Sequence, residues 1–232
     1  DSGLVVLNDI REAARVLRIE LLNQTTDVQM TDLSVNAEPP WGATLLSTYD
    51  RAFEFHARKA LCGRRQGNSS LFQWHDYGSV WQRARRFAQG LLTRMQAVGV
   101  GKDAAVAIMA QNSEEWIVAN FACWQLGRSV VAVATSTPAR QLSSVLQQGN
   151  AEVLITDCNH ASTPACLVLI ISFGRDFETI EATQAARALP VLSPDTEDKP
   201  ALVLFTSGSS GTPKGVSRTF REIHLMQRAY GV

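Results

Sequence analysis

Residues 202–216 combine hydroxyls, glycines and one lysine in a pattern that suits the binding of an oligophosphate. An apolar run, Leu202–Phe205, leads directly into a segment whose glycines let backbone N–H groups approach a ligand closely. Hydroxyl groups add neutral donors and the lysine adds a positive charge, so many donors can converge on phosphate oxygens. At the carboxyl end of a parallel strand, such a loop lies where open α/β sheets bind their ligands. The candidate phosphate-binding residues are Thr206, Ser207, Gly208, Ser209, Ser210, Gly211, Thr212, Pro213, Lys214 and Gly215.

Three other interpretations of this segment fit less well. A flexible Gly/Ser linker is disfavoured because Pro213 stiffens the segment and Val216 resumes apolar character at once. A Walker A loop requires Gly-Lys-Ser/Thr, whereas Pro213 precedes Lys214 and Gly215 follows it. A Gly-x-Ser-x-Gly nucleophile elbow fails because Thr212 occupies the position of its last glycine. Lys214 as an ordinary solvated surface charge remains the alternative to a phosphate-binding role.

The histidines and cysteines do not form a second reactive constellation in the sequence. The histidines are scattered without metal-ligand spacing, so we expect structural roles and no metal site. The cysteines lack CxxC spacing and are expected to be reduced thiols, with Cys123 in the core. These residues are His56, His75, His160 and His224, and Cys62, Cys123, Cys158 and Cys166.

Helical and strand patterns alternate from about residue 44, which predicts an α/β fold with a mostly parallel sheet flanked by helices. Continuous apolar runs are typical of strands that are buried on both faces. Predicted strands cover Phe72 and Trp74, 104–110, 130–134, 153–156, 167–173 and, as the last strand, 201–205. Predicted helices cover 45–59, 76–98, 112–127, 138–149 and 176–189. Asp76 is the predicted N-cap of the second helix and Gly99 its stop. Asn112, with Glu115, caps the third helix, which runs to Gly127, and Pro138 begins the fourth.

Residues 1–40 are predicted to be a lead-in to the domain that covers 41–232. Asp9 and Glu12 have capping-box spacing at the start of an amphipathic helix over 9–22. Its arginine face is interpreted as solvated, with a membrane-surface role as the alternative. The stretch 23–43 is polar and contains Pro39-Pro40, as in a linker.

Composition excludes several classes of protein. The chain has 232 residues, of which 45% are hydrophobic and 19% charged, so wholesale disorder is excluded. Lys plus Arg and Asp plus Glu both number 22, and this balance does not favour nucleic-acid binding. No apolar run is longer than the one at 165–171, which is far shorter than the ~20 residues that span a bilayer, so no transmembrane segment is predicted. No secretory signal opens the chain.

The segment Thr206–Val216 closely resembles the signature loop of the adenylate-forming (AMP-binding) enzymes. This superfamily includes acyl-CoA synthetases, luciferases and the adenylation domains of peptide synthetases. The resemblance extends back over 41–232 through Gln73–Tyr77, Ala110–Trp116, Leu126–Gly127 to Thr137–Pro138, and Val153–Asp157. Within the superfamily, Gly63-Arg64 and Phe72-Gln73-Trp74 are most similar to long-chain fatty acyl-CoA synthetases.

The resemblance implies a two-step ligase reaction. A carboxylate, here a fatty acid, attacks the α-phosphate of ATP in the presence of Mg²⁺, and coenzyme A then displaces AMP to form a thioester. In the family this loop embraces the β- and γ-phosphates, which assigns Lys214 to stabilising the departing pyrophosphate. The alternatives are another adenylate-forming ligase that activates aryl or amino acids, and a noncatalytic interaction protein. An intracellular location is expected, in the cytoplasm or on the cytosolic face of an organelle with peripheral membrane association.

The sequence departs from the family pattern in three places. The family's Tyr-Gly-x-Thr-Glu segment, ribose-binding Asp and catalytic lysine are expected beyond Val232. We therefore predict an incomplete N-terminal domain without its C-terminal domain, inactive on its own, with most Mg²⁺ ligands outside it. The Thr-His-x-Asn pattern is replaced by Thr219-Phe220-Arg221-Glu222, and Gly-Ala-x-x-x-Pro is replaced by Gly127–Ala132.

Overall fold

A six-stranded sheet with helices on both faces forms the centre of the molecule. The computed structural model describes residues 41–65, 72–158, 164–182, 188–206 and 213–230. The predicted lead-in helix over 9–22 and the polar stretch up to residue 40 lie outside the described residues. The helices are α1 (Leu45–Phe55), α2 (Tyr77–Ala97), α3 (Glu114–Gln125), α4 (Ala139–Gln148), α5 (Arg175–Ala182) and α6 (Phe220–Tyr230), with a 3₁₀ helix at Pro194–Asp198. The strands are β1 (Ala60–Arg65), β2 (Phe72–Asp76), β3 (Ala105–Met109), β4 (Val130–Ala132), β5 (Ala151–Thr156), β6 (Leu169–Ser172), β7 (Pro200–Thr206) and β8 (Lys214–Thr219).

The sheet order β6-β5-β3-β4-β7-β8 confirms the predicted α/β class. All neighbouring strands pair in parallel except β7 and β8, which pair antiparallel. Each parallel pair needs a crossover, and helices supply most of these crossovers, as the alternating pattern predicts. The carboxyl ends of β3, β4, β5 and β7 therefore lie at the same end of the sheet.

Burial on both faces explains the continuous apolar runs of the central strands. In β3, Val106 and Ile108 belong to the apolar cluster that includes α2 and α3. The alternating residues Ala107 and Met109 belong to the cluster on the opposite face, under α4. Every residue of β3 is buried, because the side-chain period of two points alternate residues into two separate cores.

Capping residues set two helix starts, one of them displaced from its prediction. Asp76 accepts a hydrogen bond from the backbone N–H of Ser79 at 2.6 Å, which confirms it as the N-cap of α2. Gly99 has φ +77° directly after that helix, as its predicted stop requires. The predicted cap Asn112 is wrong by one residue, because Ser113 Oγ accepts from the N–H of Trp116 at 3.1 Å.

Several element boundaries differ from the sequence prediction. Helix α1 ends at Phe55 rather than at residue 59, and α5 covers Arg175–Ala182, so it begins one residue before the predicted range 176–189. The strand over 200–206 is not the last one, since β8 and α6 follow it. Strand β1, which pairs antiparallel with β2, was also missed. Neither β1 nor β8 has an alternating apolar pattern, so only their pairing partners reveal them.

Aromatic and sulfur side chains differ in how deeply they are buried. Trp81 and Trp124 are each only 6% exposed, whereas Trp74 on β2 is 41% exposed. Cys123 is fully buried, and burial raises the pKa of its thiol to about 12. Among the helices in the described part of the chain, none has the length and apolar character needed to cross a bilayer.

Candidate functional site

The candidate phosphate-binding segment is bracketed by the antiparallel pair β7–β8. Thr206 lies opposite Lys214 in the register, and Phe205 lies opposite Gly215. Residues 207–212, which carry Ser207, Gly208, Ser209, Ser210, Gly211 and Thr212, lie outside the described residues. The two strands therefore hold the first and last parts of the segment side by side at the carboxyl end of β7.

Two candidate residues are placed differently from their prediction. Lys214 and Gly215 were expected in an irregular loop, but both belong to β8. The reason is long-range pairing with β7, because the sequence from Lys214 to Thr219 has no strand-like alternation of its own. Pairing with an inner strand fixes the backbone of Lys214 next to Thr206, which a flexible loop would not do.

Gly215 makes room for an aromatic ring on the neighbouring strand. A Cβ atom at this position would lie 3.1 Å from Cζ and 3.2 Å from Cε1 of Phe205, closer than ordinary van der Waals contact. Phe205 in turn packs against the apolar cluster under α4. Gly215 thus lets the hairpin keep its register while the ring stays in that layer.

A polar cluster lies at the same end of the sheet, directly after the carboxyl ends of β3, β4 and β5. The backbone N–H of Gln111 donates to Asp157 Oδ2 at 2.8 Å, and Gln111 Nε2 donates to Thr135 Oγ1 at 3.0 Å. Below them, Thr156 Oγ1 donates to the Met109 carbonyl at 2.8 Å. Sequence reasoning did not assign these residues to a site, although their positions directly after strands could have indicated it.

The far end of the hairpin is anchored in the core by two aromatic residues. Phe220, directly after β8, is fully buried, with its ring centroid 6.2 Å from that of Trp124. Trp124 Nε1 donates to the carbonyl of Ala201 in β7 at 2.8 Å. The phenylalanine that replaces the family's histidine therefore has a packing role in this chain.

Helix α6 packs against α1 through a buried polar contact. His224 Nε2 lies 3.0 Å from Thr48 Oγ1, and the histidine is only 6% exposed. Burial, with a smaller effect of Arg228, lowers the pKa of His224 and so favours the neutral ring. This supports the expected structural role for this histidine.

Arg128 lies in the segment Gly127–Ala132, which departs from the family's Gly-Ala-x-x-x-Pro pattern. Its side chain stabilises the turn before β3. Its Nη1 donates to the carbonyl of Gly101 at 2.6 Å and to that of Ala104 at 3.1 Å. Burial lowers the pKa of this guanidinium, which nearby Cys123 and acidic groups partly offset.

The hairpin fits an anion better than a metal ion. Residues 200–219 include hydroxyl, amide and ammonium donors but no Asp or Glu, so they supply no carboxylate for Mg²⁺. Among the described residues, no three His, Cys, Asp or Glu side chains are grouped so that they could hold a metal.

Comparison with known proteins gives the family. Residues 50–231 match the model of the family described as AMP-binding enzyme. The chain belongs to this family. Its fold agrees with that of the N-terminal subdomain of Klebsiella oxytoca NpsA, solved in complex with 3-hydroxybenzoyl-AMSN, at a TM-score of 0.52 and 28% identity over 64% of this chain and 35% of that one.

The similar curated proteins are peptide synthetases. Nonribosomal peptide synthetase atnA of Emericella nidulans is 32% identical over 140 residues, which is 59% of this chain and 2% of the synthetase. Phosphinothricin tripeptide synthetase PhsC of Streptomyces viridochromogenes is 32% identical over 162 residues, which is 66% of this chain and 14% of PhsC. The chain therefore spans a small part of the relatives that it matches.

These relatives correct the finer prediction made from the sequence. The superfamily is confirmed, but the matches do not support the similarity to long-chain fatty acyl-CoA synthetases that Gly63-Arg64 and Phe72-Gln73-Trp74 suggested. The short motifs on β1 and β2 lie on a two-stranded sheet that is separate from the six-stranded sheet. The alternative, a ligase that activates amino or aryl acids, is better supported, and coenzyme A as a co-substrate is not.

Proposed function

We propose that this chain provides the ATP-phosphate-binding part of an enzyme that activates an amino acid or an aryl acid as its adenylate. The observation that carries the proposal is the β7–β8 hairpin, which sets Lys214 beside Thr206 at the carboxyl end of β7 in a member of the AMP-binding family. In this reaction the substrate carboxylate attacks the α-phosphate of ATP. The bond to the β-phosphate breaks, and pyrophosphate leaves.

The hairpin would act on the leaving group. Negative charge grows on pyrophosphate as it departs, and donors that are already in place stabilise that charge at little reorganisation cost. Lys214 supplies a positive charge, while hydroxyls and backbone N–H groups from Thr206 to Gly215 supply neutral donors. Antiparallel pairing with β7 restricts where the lysine can lie, because its backbone is fixed opposite Thr206.

The substrate class in this proposal rests on the relatives. Both synthetases described above are named for peptide synthesis, and the NpsA subdomain was solved with a 3-hydroxybenzoyl compound. A carboxylic acid with an amino or aryl group therefore suits this chain better than a fatty acid. Mg²⁺ would neutralise the triphosphate, with its carboxylate ligands outside residues 200–219.

Exchange of labelled pyrophosphate into ATP tests the substrate class in the intact protein. We expect exchange above background with at least one amino acid or aryl acid, such as 3-hydroxybenzoate, and background exchange with palmitate. The same assay on the 232-residue chain is expected to show no turnover. Exchange supported by fatty acids alone would contradict the proposal, and so would an absence of exchange with every amino and aryl acid tested.

A further inference from the structure

A cavity of about 620 Å³ lies between the C-terminal end of α4 and the β7–β8 hairpin. It is lined by the turns before β3 and β4, by the end of α4 and the residues that follow it, and by parts of β7 and β8. Most of this lining belongs to the amino ends of the parallel strands. The volume is within the range of ordinary small-molecule sites, roughly 300–1,000 Å³.

The charged side chains that line this cavity are three cations and one carboxylate. The cations are Lys102, Arg128 and Lys199, and the carboxylate is that of Asp103. Lys199 Nζ lies 3.1 Å from Asp103 Oδ1, so these two charges neutralise each other. The lining keeps the positive charges of Lys102 and Arg128, which favour an anion as the ligand.

Arg128 has one edge of its guanidinium without a partner. Its two hydrogen bonds, to the carbonyls of Gly101 and Ala104, both come from Nη1. Within the described part of the chain, Nε and Nη2 have no hydrogen-bond partner, and because neither belongs to the fully buried polar atoms that lack one, both retain exposed surface. The N–H groups of Nε and Nη2 point the same way from a planar group, so together they match the two oxygens of a carboxylate.

The half-buried charge of Arg128 forms no ion pair with any carboxylate of the described residues. Glu152 Oε2 instead accepts a hydrogen bond from the backbone N–H of Gly101 at 2.8 Å. Burial lowers the pKa of Arg128, and the electrostatic effects of Cys123, Asp103 and Glu152 offset this only in part. A half-buried charge without an ion-pair partner destabilises the protein, and a bound anion would remove that effect.

The residues around Arg128 are oriented before any ligand binds. The two hydrogen bonds of Nη1 fix the plane of the guanidinium. Asn150 Nδ2 donates to the carbonyl of Asp103 at 3.0 Å, which links the turn before β3 to the residues after α4. Donors that are already oriented lose little freedom on binding. Arg128 stands where the family's Gly-Ala-x-x-x-Pro pattern has alanine, so this group is a feature of the present chain.

We propose that this cavity binds a small organic carboxylate that carries an apolar group. The carboxylate oxygens accept hydrogen bonds from Nε and Nη2 of Arg128, and Lys102 adds a second positive charge at the rim. The apolar part of the ligand lies against Pro200 and Val203, which line the same cavity.

This site is separate from the adenylation chemistry proposed above. Val130 pairs with Leu202, so Arg128, two residues earlier, is level with the first residue of β7. Thr206 is the last residue of that strand, roughly 20 Å away at about 3.3 Å per residue. The two sites therefore lie at opposite ends of β7, and binding to the cavity does not depend on the proposed function.

Benzoate and benzamide test whether the cavity recognises a carboxylate. The two molecules have nearly the same size and shape, but only benzoate carries a charge and two equivalent acceptor oxygens. We expect benzoate to bind the 232-residue chain with a Kd of roughly 1 mM, the range for a ligand of this size. Benzamide should bind about tenfold more weakly, because the charge-assisted hydrogen bonds are lost. Benzoate should also shift the Nε–H signal of Arg128 in ¹H–¹⁵N spectra, which locates the binding at this residue.

Charge variants identify the residues that bind. Arg128→Lys keeps the positive charge but not the planar edge, and it should weaken benzoate binding about tenfold. Lys102→Glu, at an exposed position of the rim, should weaken it about threefold and leave the thermal transition unchanged. Lys59→Glu makes the same change of net charge at an exposed position outside the cavity lining, and it should bind benzoate as the parent does. Lys214→Ala should also bind as the parent does, since it alters only the phosphate-binding hairpin.

Equal binding of benzoate and benzamide by the parent, no binding of benzoate, or an unmoved Arg128 signal would each overturn the proposal. Full benzoate affinity in a folded Arg128→Lys or in Lys102→Glu would do the same. A loss in Lys59→Glu as large as that in Lys102→Glu would reduce the effect to net charge, and a loss in Lys214→Ala would place benzoate at the phosphate-binding hairpin. Either result would contradict a carboxylate site in the cavity.

Discussion

Lys214 is the residue on which the proposed phosphate chemistry depends most. Its position opposite Thr206 results from strand pairing, and the donors of residues 207–212 connect the two in the sequence. A charge that acts on departing pyrophosphate stabilises the transition state more than it stabilises the bound carboxylic acid. The kinetics of a variant can therefore separate this role from that of a solvated surface charge.

Replacing Lys214 by alanine in the intact protein should lower the rate of adenylate formation by about 100-fold, as for the loss of one preorganised electrostatic group. The affinity for the carboxylic acid should change by much less. Single-turnover adenylate formation and equilibrium binding of the acid measure the two effects. The control is Arg218→Ala, which removes an exposed cation from the same strand at the end away from the loop. Equal losses of rate and acid affinity in the Lys214 variant would count against a role on the pyrophosphate side.

At the scale of elements, an ion-pair cluster joins three of the helices on one face of the sheet, α2, α3 and α5. Arg83 on α2 lies 2.5 Å from Glu114 at the start of α3 and 2.9 Å from Glu181 on α5. Partial burial acts to lower the pKa of Arg83, but hydrogen bonds to both carboxylates raise it on balance. Because the side chain of Glu114 is only 5% exposed, removing the arginine would leave its charge buried with few partners.

The Arg83→Met variant should lose about 3 kcal/mol of unfolding free energy, as expected when one partner of a buried ion pair is removed. Adding Glu114→Gln should restore part of the loss, since the unpaired charge disappears. Arg86→Met is the control, because Arg86 also pairs with Glu181 but its side chain is 52% exposed. Its cost should stay below about 1 kcal/mol. Chemical denaturation measures all three, and equal costs for the two arginines would refute a special role for the buried pair.

At the scale of the whole molecule, one end of the sheet presents an exposed apolar pair. Leu204 and Val216 lie opposite each other on β7 and β8, and they are 48% and 46% exposed. Directly paired residues of antiparallel strands project from the same face, so the two side chains form one patch beside an edge strand. An apolar patch at a sheet edge promotes association between copies.

The double variant Leu204→Thr/Val216→Thr should aggregate less than the parent 232-residue chain, because it removes the patch and places β-branched residues, which suit strands, at both positions. Unfolding free energy should change by less than about 0.5 kcal/mol per site, as at other surface positions. Val191→Thr is the matched control, since Val191 is 99% exposed but lies outside the sheet. Static light scattering at rising concentration measures the effect, and equal aggregation of parent and double variant would contradict it.

Patterns set by neighbouring residues were sufficient to predict the central fold. Apolar runs and caps located β3, β5 and α2, because burial on both faces and the hydrogen bond of Asp76 depend on residues close in the sequence. The segment Thr206–Val216 was sufficient to indicate the superfamily, which the family match confirms. The subfamily prediction, which rested on two short motifs in the β1–β2 pair, was wrong, since the similar proteins are peptide synthetases.

Only the tertiary structure decided which distant residues meet. Strand β8 has no pattern of its own, so Lys214 takes its place through pairing with β7. The sequence also does not reveal that the buried carboxamide of Gln125 has no hydrogen-bond partner among the described residues. The periodicity of apolar residues indicates which side chains of a segment are buried. Strand pairing, cavities and unsatisfied hydrogen bonds depend instead on which distant segments pack against that segment after folding.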